Sequence, residues 1–337
     1  MIRYLAPVSP RVATEPVATV YDEIRREFGA LVEPFTLHAA SPLLLAGTWR
    51  ACRATLVAGD VRRDVKEAVA AAVSRANRCG YCVDAHVVML EGTRAHDAAR
   101  AIVAADADAI ADPDVRRAFA WGAASRIPGA PPPFAPSELP ELVGTAMVFH
   151  YINRPVTVLL GDSPLPALPR SWRAGARRAA GWWFGRAIAR AKPRDLPPLL
   201  PAAPLPDDLC WAAPSPPVAD ALARWVAAVE HEGARVLPEE VRTCVTARLA
   251  TWTGADPGLG QAWLASTLAP LSASAQAAAR LTLLTALAPH QVDRDVVGAF
   301  RAGAGDDAAL VAALAWASLA AARRVVRWLV PAPAPGL

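Results

Sequence analysis

The sequence is poor in several features that would otherwise decide its class. Lysine occurs only at Lys66 and Lys192, so arginine carries nearly all of the positive charge, and the formal net charge of the 337 residues is only +4. A balance this small does not argue for a DNA- or RNA-binding protein. Because alanine and proline are also abundant, the arginine bias indicates a GC-rich genome rather than a nucleic-acid partner.

Long apolar runs are also scarce, although hydrophobic residues make up 54% of the chain. The longest largely apolar run, residues 308–322, is too short to span a bilayer comfortably, so we expect a buried or interface helix and no integral membrane segment. The first ten residues contain no apolar signal core followed by a cleavage site. The sequence therefore predicts a cytosolic protein.

Five cysteines in a chain of this length are too few for a disulfide scaffold. Cys52, Cys210 and Cys244 have no nearby partner in the sequence and are expected to be small core residues. Cys79 and Cys82 instead form a CxxC pair. In a reducing compartment such a pair is more often catalytic or metal-binding than structural.

A histidine and a glutamate complete this pattern. If the chain from Asn77 onward is helical, with Asn77 as the predicted N-cap, then Cys79, Cys82 and His86 share one helix face. Glu67 lies twelve positions before the first cysteine, next to the apolar run 68–73 that predicts its partial burial. A thiol pair beside an imidazole, with a carboxylate to orient that imidazole, is the minimum set for thiolate chemistry.

The spacing E-x11-C-x2-C-x3-H resembles the active-site motif of the alkylhydroperoxidase D/carboxymuconolactone decarboxylase family. The match lies in the redox branch, since the decarboxylase branch lacks the cysteine pair. A looser similarity to a late helix of larger members continues through residues 149–154. The resemblance implies an all-α helical bundle and assigns catalytic roles to Glu67, Cys79, Cys82 and His86.

The resemblance also implies a mechanism. Glu67 orients His86, which takes the proton of Cys82, and the Cys82 thiolate attacks a small peroxide to give a sulfenic acid. Cys79 then forms the disulfide, which a dithiol or thiol-protein reductant reduces. A thioredoxin-type argument from the helix N-terminus would favour Cys79 as the nucleophile instead. No metal, flavin or nucleotide cofactor is expected.

Three other interpretations of the cysteine pair stay open. Structural zinc would need two further ligands, and no second CxxC or HxxxH occurs, His96 and His150 being isolated. A thiol–disulfide reductase that regenerates a peroxiredoxin would use the same residues. A non-enzymatic assembly or membrane-adaptor protein could use the pair only to sense redox state.

Helical periodicity dominates the chain, and no segment alternates convincingly as a strand. Val20, Ile24 and Phe28 recur at four-residue spacing in one predicted helix, and Ser41-Pro42 is typical of a helix start. The Arg154-Pro155 step predicts a kink or short break. The predicted helices of the first half cover residues 17–28, 42–56, 60–76, 79–90, 95–104, 113–125 and 137–160.

Composition divides the chain into three predicted segments. Residues 1–160 form a catalytic helical domain, residues 161–219 a proline-rich linker with a basic helix, and residues 220–332 a degenerate second copy. In the alignment of the two copies, the catalytic positions are occupied by Arg280, Val292, Asp295 and Ala299. Two copies in one chain and alanine-rich helices together favour a homo-oligomer.

The basic helix of the linker, Arg170–Lys192, can be interpreted in two ways. Trp172 and Trp183 belong to one helical stripe, which predicts that the tryptophans pack on the protein body while the arginines face solvent. The alternative is a helix that lies on a membrane surface.

Overall fold

The computed structural model describes residues 2–165, 169–190, 196–258 and 260–330, and its regular structure there is helical, with no strand in those ranges. The predicted all-α fold is confirmed. The α-helices are, in chain order, α1 (Val17–Phe28), α2 (Glu33–Thr36), α3 (Pro42–Cys52), α4 (Arg63–Ala76), α5 (Gly80–Gly92), α6 (His96–Ala104), α7 (Pro113–Ala124), α8 (Leu139–Leu159), α9 (Arg170–Arg190), α10 (Pro216–Val236), α11 (Glu239–Ala250), α12 (Ala262–Leu268), α13 (Ala273–Leu287), α14 (Arg294–Ala304) and α15 (Asp307–Leu329).

Two helices show why the sequence predictions succeed where local signals are strong. Helix α1 has the predicted bounds: its four-residue apolar spacing is buried, and it ends at Gly29, whose φ of 77° suits a left-handed C-cap. Helix α3 starts after Ser41 with Pro42 in its first turn, as predicted. It ends at Cys52, where a single π-helical turn, Arg53–Val57, replaces the predicted continuation.

The helices that carry the motif are held between α7, α8 and α9. Helix α4 packs against α5, α7 and α8, and the contact with α7 is close because Gly122 lacks a side chain. A buried ion pair joins α4 to α8, with Nζ of Lys66 lying 2.7 Å from a carboxylate oxygen of Glu141. Helix α8 runs through Pro155 without the predicted break, because packing on α4 and α15 encloses nearly its whole length.

Helix α15 corrects the expectation drawn from the apolar run near the C-terminus. Its 23 residues are long and apolar enough to cross a membrane by length and composition, because the helix continues past Arg323 and Arg324. However, 83% of its apolar window is buried inside the protein, where the helix packs on α8, α10 and α13. Packing in the core therefore accounts for the apolar composition of α15, in agreement with the predicted buried helix.

The division into two copies stays a prediction. Contacts of α8 with α4 in the first half have a counterpart in contacts of α15 with α13 in the second. Arg280 and Asp295 are exposed, so these aligned positions do not form a second buried site. The predicted boundaries extend over residues 1, 331 and 332, which lie outside the described residues.

Helix α9 does not pack as predicted. It lies against α5 and α1, but Trp172, Trp182 and Trp183 are 68%, 62% and 58% exposed. The prediction that the tryptophans pack on the body is wrong because glycines make the contact: a Cβ on Gly185 would lie 2.5 Å from the backbone carbonyl oxygen of Gly92. Residues 166–168 and 191–195 of the predicted linker lie outside the described ranges.

Candidate active site

A tight turn between α4 and α5 brings the motif together. Asn77 caps the C-terminus of α4, Arg78 adopts a left-handed φ of 57°, and Cys79 is the N-cap of α5. The predicted N-cap at Asn77 is therefore wrong, because the chain reverses direction before the second helix begins. The amide of Cys79 donates to the carbonyl of Ser74 at 2.9 Å, which closes the turn.

This turn places the two thiols side by side. The sulfur atoms of Cys79 and Cys82 lie 2.8 Å apart, both thiols are free, and each residue is 2% exposed. The N-cap position places Cys79 next to the unpaired amides of the first turn of α5, where a thiolate is favoured. Cys82, one turn later, faces a cavity that Cys79 does not line.

Glu67 and His86 meet across the interface between α4 and α5. Nδ1 of His86 donates to Oε2 of Glu67 at 2.6 Å, and both side chains are buried. Nε of Arg63, one turn before Glu67, donates to Oε1 at 2.7 Å. The His86 and Phe149 rings pack in a T-shaped arrangement, with centroids 4.4 Å apart. These contacts fix the orientation of the imidazole.

The charges around Glu67 keep its carboxylate ionised despite complete burial. Burial alone would raise the pKa of Glu67, but the positive charge of Arg63 and the electrostatic interactions and hydrogen bonds with Arg63 and His86 outweigh it and lower the pKa below its ordinary value. Glu67 can therefore hold Nδ1 of His86 in its protonated form, which leaves Nε2 as the nitrogen that exchanges a proton.

The two thiols differ in acidity. Burial raises the pKa of Cys79, but hydrogen bonds from the Cys82 thiol, the Cys82 backbone and Thr157 outweigh it and lower the pKa. Burial also raises the pKa of Cys82, and the neighbouring Cys79 sulfur raises it further, well above the ordinary value, against a hydrogen bond with Asn153. Of the two thiols, Cys79 therefore gives up its proton more readily.

The cavity in front of Cys82 is large and mostly apolar. It has a volume of about 490 Å³. Tyr81 lines it and also donates to Glu33 at 3.0 Å. The lining residues are Phe28, Leu31, Val32, Glu33, Pro34, Phe35, Cys52, Leu56, Glu67, Tyr81, Cys82, Ala85, His86, Val88, Met89, Phe149, Ile152, Pro164, Leu165, Ala180 and Phe184.

A buried polar network supports the motif from behind. Nδ2 of Asn77 donates to Asn153 at 2.9 Å and lies 3.1 Å from Nδ1 of His150. Asn153 in turn donates to the hydroxyl of Ser74 at 3.0 Å. His150 and Asn153 thus hold the turn rather than line the cavity, although Asn153 also bonds to the Cys82 thiol.

Two contacts of the motif were not anticipated from the sequence. Arg63 could have been found, since it precedes Glu67 by four residues on the same helix face. The second contact is that of Asp84, whose carboxylate accepts hydrogen bonds from Ser163 and Arg177, both at 2.6 Å. No local signal predicts that contact, because both partners come from the segment after α8.

No group of three or more His, Cys, Asp or Glu side chains that could hold a metal ion occurs among residues 2–165, 169–190, 196–258 and 260–330. Within these ranges, the Cys79–Cys82 pair has no set of side chains that would complete the four ligands of structural zinc.

Comparison with known proteins gives a family match and a similar protein of known name. The sequence profile of the carboxymuconolactone decarboxylase family matches residues 42–124, from the start of α3 to the end of α7. The chain is 43% identical over 332 residues to a Mycobacterium tuberculosis protein named alkyl hydroperoxide reductase Rv2159c, and the match covers 97% of this chain and 95% of the relative. No solved structure matches the chain.

Proposed function

The chain belongs to the carboxymuconolactone decarboxylase family and is an oxidoreductase, and we propose that it is a thiol-dependent peroxidase that reduces organic hydroperoxides through Cys79 and Cys82. The observation that carries the proposal is the position of Cys82 on an apolar cavity beside the Glu67–His86 pair. The name of the mycobacterial relative supports the peroxide substrate.

The cavity favours an organic hydroperoxide over hydrogen peroxide. Its volume of about 490 Å³ is within the range of sites that bind small organic ligands. Hydrogen peroxide is far smaller and has no apolar part. The aromatic and aliphatic side chains facing the cavity, among them Phe28, Phe35, Met89 and Phe184, would bury the organic group of the substrate.

The first step oxidises Cys82 by two electrons. Proton transfer to Nε2 of His86, directly or through a water, generates the Cys82 thiolate, while Glu67 stabilises the resulting imidazolium. The thiolate attacks the terminal oxygen of the hydroperoxide and the O–O bond breaks. The product is a sulfenic acid on Cys82 together with an alkoxide, which His86 protonates to the alcohol.

The remaining steps restore the dithiol. The Cys79 thiolate attacks the sulfur of the sulfenic acid, a disulfide forms, and hydroxide leaves as water after taking a proton. A dithiol or thiol-protein reductant then reduces the disulfide by two exchange steps and is itself oxidised. Overall, one hydroperoxide and one dithiol give one alcohol, one water and one disulfide.

Cys79 and Cys82 have different roles because the sulfur that faces the cavity is not the more acidic of the two. Cys82 faces the cavity, so it is the sulfur that a substrate can reach. Cys79 has the lowered pKa, which suits a resolving thiolate that attacks the sulfenic acid at once. Assigning the attack to Cys82 therefore rests on access and on His86, and the acidity of Cys79 supports the second step.

The proposal includes a cytosolic location and a homo-oligomer. Alanine-rich helices allow the close helix–helix approach that extended interfaces need. Light scattering at micromolar concentration should give a mass of two or more times 35.4 kDa, the mass of one chain. A mass of 35.4 kDa alone would contradict the oligomer and leave the peroxidase proposal intact.

Turnover of purified protein tests the proposed function. With dithiothreitol as the electron donor, we expect steady-state reduction of cumene hydroperoxide, with a higher kcat/KM than for hydrogen peroxide. Cys82→Ser should abolish turnover, whereas Cys244→Ser, at a cysteine remote from the cavity, should not change it. Reduction of an oxidised peroxiredoxin without direct peroxide turnover would favour the thiol–disulfide reductase instead. Absence of both activities would favour the non-enzymatic redox sensor.

A further inference from the structure

We propose that the outer face of α9 docks on an anionic lipid bilayer surface. The outer face is defined by Arg178, Trp182, Trp183 and Arg186, together with Trp172, which lies about three turns before Trp182 on the same helix. All five side chains are exposed, whereas the opposite side of the helix packs on α5.

The tryptophans on this face are largely exposed instead of buried against the protein body. The contact with α5 is made by small residues: a Cβ on Gly181 would lie 2.5 Å from Cβ of Glu91, and Gly185 meets the backbone of Gly92. A salt bridge of 2.6 Å between Arg177 and Asp84 adds to it. Three large apolar side chains on one exposed helix face therefore mark an interaction surface.

The charge of this segment identifies the kind of partner. Helix α9 contains six arginines, and no aspartate or glutamate occurs anywhere from residue 163 to residue 194. Arginines near an anionic bilayer are attracted to its surface, and tryptophan rings prefer the level of the lipid headgroups. The guanidinium of Arg186 lies 4.9 Å from the ring centroid of Trp182, so the charged and aromatic groups form one patch.

A second copy of the chain fits this face less well. A symmetric dimer contact would place the same face of each copy against the other. Two segments that carry arginines and no carboxylates would then repel each other. A bilayer containing anionic lipids supplies the opposite charge over a wide area and an apolar layer beneath it.

Docking in this way would bring the lipid close to the cavity. Ala180 and Phe184, on the inner side of α9, line the cavity in front of Cys82. One helix, about 10 Å across, would separate the bilayer surface from that cavity. The docking itself does not depend on the proposed peroxidase function.

Co-sedimentation with vesicles tests the inference without an activity assay. Full-length protein should bind vesicles of phosphatidylcholine with phosphatidylglycerol, and binding should weaken in high salt and in pure phosphatidylcholine. Arg178→Gln/Arg186→Gln should weaken binding to anionic vesicles by roughly tenfold or more. Arg11→Gln/Arg294→Gln changes the net charge equally at exposed sites elsewhere and should have a much smaller effect.

A second variant, with its own control, tests the role of the tryptophans. Trp182→Ser/Trp183→Ser should abolish vesicle binding while thermal unfolding followed by circular dichroism stays unchanged, and Ile127→Ser, at an exposed residue off α9, should bind as the wild type. Equal binding by the variants and their controls would overturn the inference. So would a concentration-dependent mass increase that these tryptophan changes abolish, because it would assign the face to a second copy.

Discussion

At the scale of single residues, the site depends on a carboxylate that is charged and inaccessible to solvent. Glu67 stays ionised because Arg63 and His86 bind its two oxygens. An ionised Glu67 holds the protonated Nδ1 of His86, and a histidine fixed in that way can accept a proton from Cys82 at Nε2. The sequence motif predicted the partners Glu67 and His86, but it could not show that Arg63 supplies the charge that keeps Glu67 ionised.

Replacing this carboxylate should change the acidity of the reactive thiol. In Glu67→Gln the imidazolium of His86 loses its counter-charge, so the thiolate form of Cys82 becomes less favourable. Alkylation of Cys82 by iodoacetamide should therefore be slower than in the wild type, and the pH at which it becomes fast should move upward. Rates measured from pH 6 to pH 10 would show the shift.

Asp64→Asn is the matched control for that change. Asp64 is a neighbouring carboxylate on the same helix, and it pairs with Arg62 instead of with the site. Its substitution should leave the alkylation profile in place. An unchanged profile in Glu67→Gln would mean that Glu67 has only a packing role.

At the scale of helices, the sequence predicted elements well and contacts poorly. The bounds of α1 follow from its apolar spacing and terminal glycine, and those of α4 to α8 agree with prediction within three residues at each end. The orientation of α9 could not be predicted, because stripes of large residues suggested a buried face. The contact is made instead by Gly181 and Gly185, whose backbones approach α5 closely.

That glycine contact makes a specific prediction about α9. In Gly185→Ala the new Cβ would lie 2.5 Å from the carbonyl oxygen of Gly92, so α9 must shift away from α5. In Gly175→Ala on the same helix, the new Cβ would meet no atom within 4 Å. We expect the first variant to be destabilised and the second to be stabilised by roughly 0.5–1 kcal/mol, the usual gain when alanine replaces glycine in a helix.

The free energy of unfolding of the two variants, measured in urea, checks this contrast. Because α9 also forms a wall of the cavity, Gly185→Ala should additionally speed the alkylation of Cys82. Equal stability of the two variants would show that α9 does not pack on α5 through its glycines.

At the scale of the whole molecule, buried neutral histidines link stability to pH. His38 lies inside the core, where its Nε2 meets the Tyr151 hydroxyl at 2.9 Å, and burial lowers the pKa of His38 to about 4. Burial likewise lowers the pKa of His150 well below its ordinary value, with the charges of Arg154 and Arg126 adding to the effect. These histidines were invisible as acid-sensitive groups in the sequence, since their burial depends on the complete fold.

The sign of the resulting pH dependence is fixed. Between pH 6.5 and about 4 the unfolded chain protonates His38 while the folded protein does not, so acid favours unfolding. Each such histidine should cost about 1 kcal/mol of stability per pH unit in that window. Urea unfolding at pH 7, 6 and 5 should show this loss.

His38→Gln isolates one of the two contributions. The free energy of unfolding of this variant at pH 7 should be lower than that of the wild type. Its further decrease on acidification should be smaller than in the wild type by about 1 kcal/mol per pH unit, the contribution of one histidine. The control is His290→Gln at an exposed position, which should keep the wild-type slope. A wild-type slope in His38→Gln would show that His38 does not contribute to the acid sensitivity.

The central claim is that Cys82 attacks the peroxide and Cys79 resolves the product. Mass spectrometry of each single variant after one equivalent of cumene hydroperoxide, with dimedone to trap sulfenic acid, tests it most directly. Cys79→Ser should form a trapped sulfenic acid on Cys82 and stop after one cycle, Cys82→Ser should form none, and the wild type should give a Cys79–Cys82 disulfide. A trapped sulfenic acid on Cys79 in the Cys82→Ser variant, with an unreactive Cys79→Ser variant, would contradict the account.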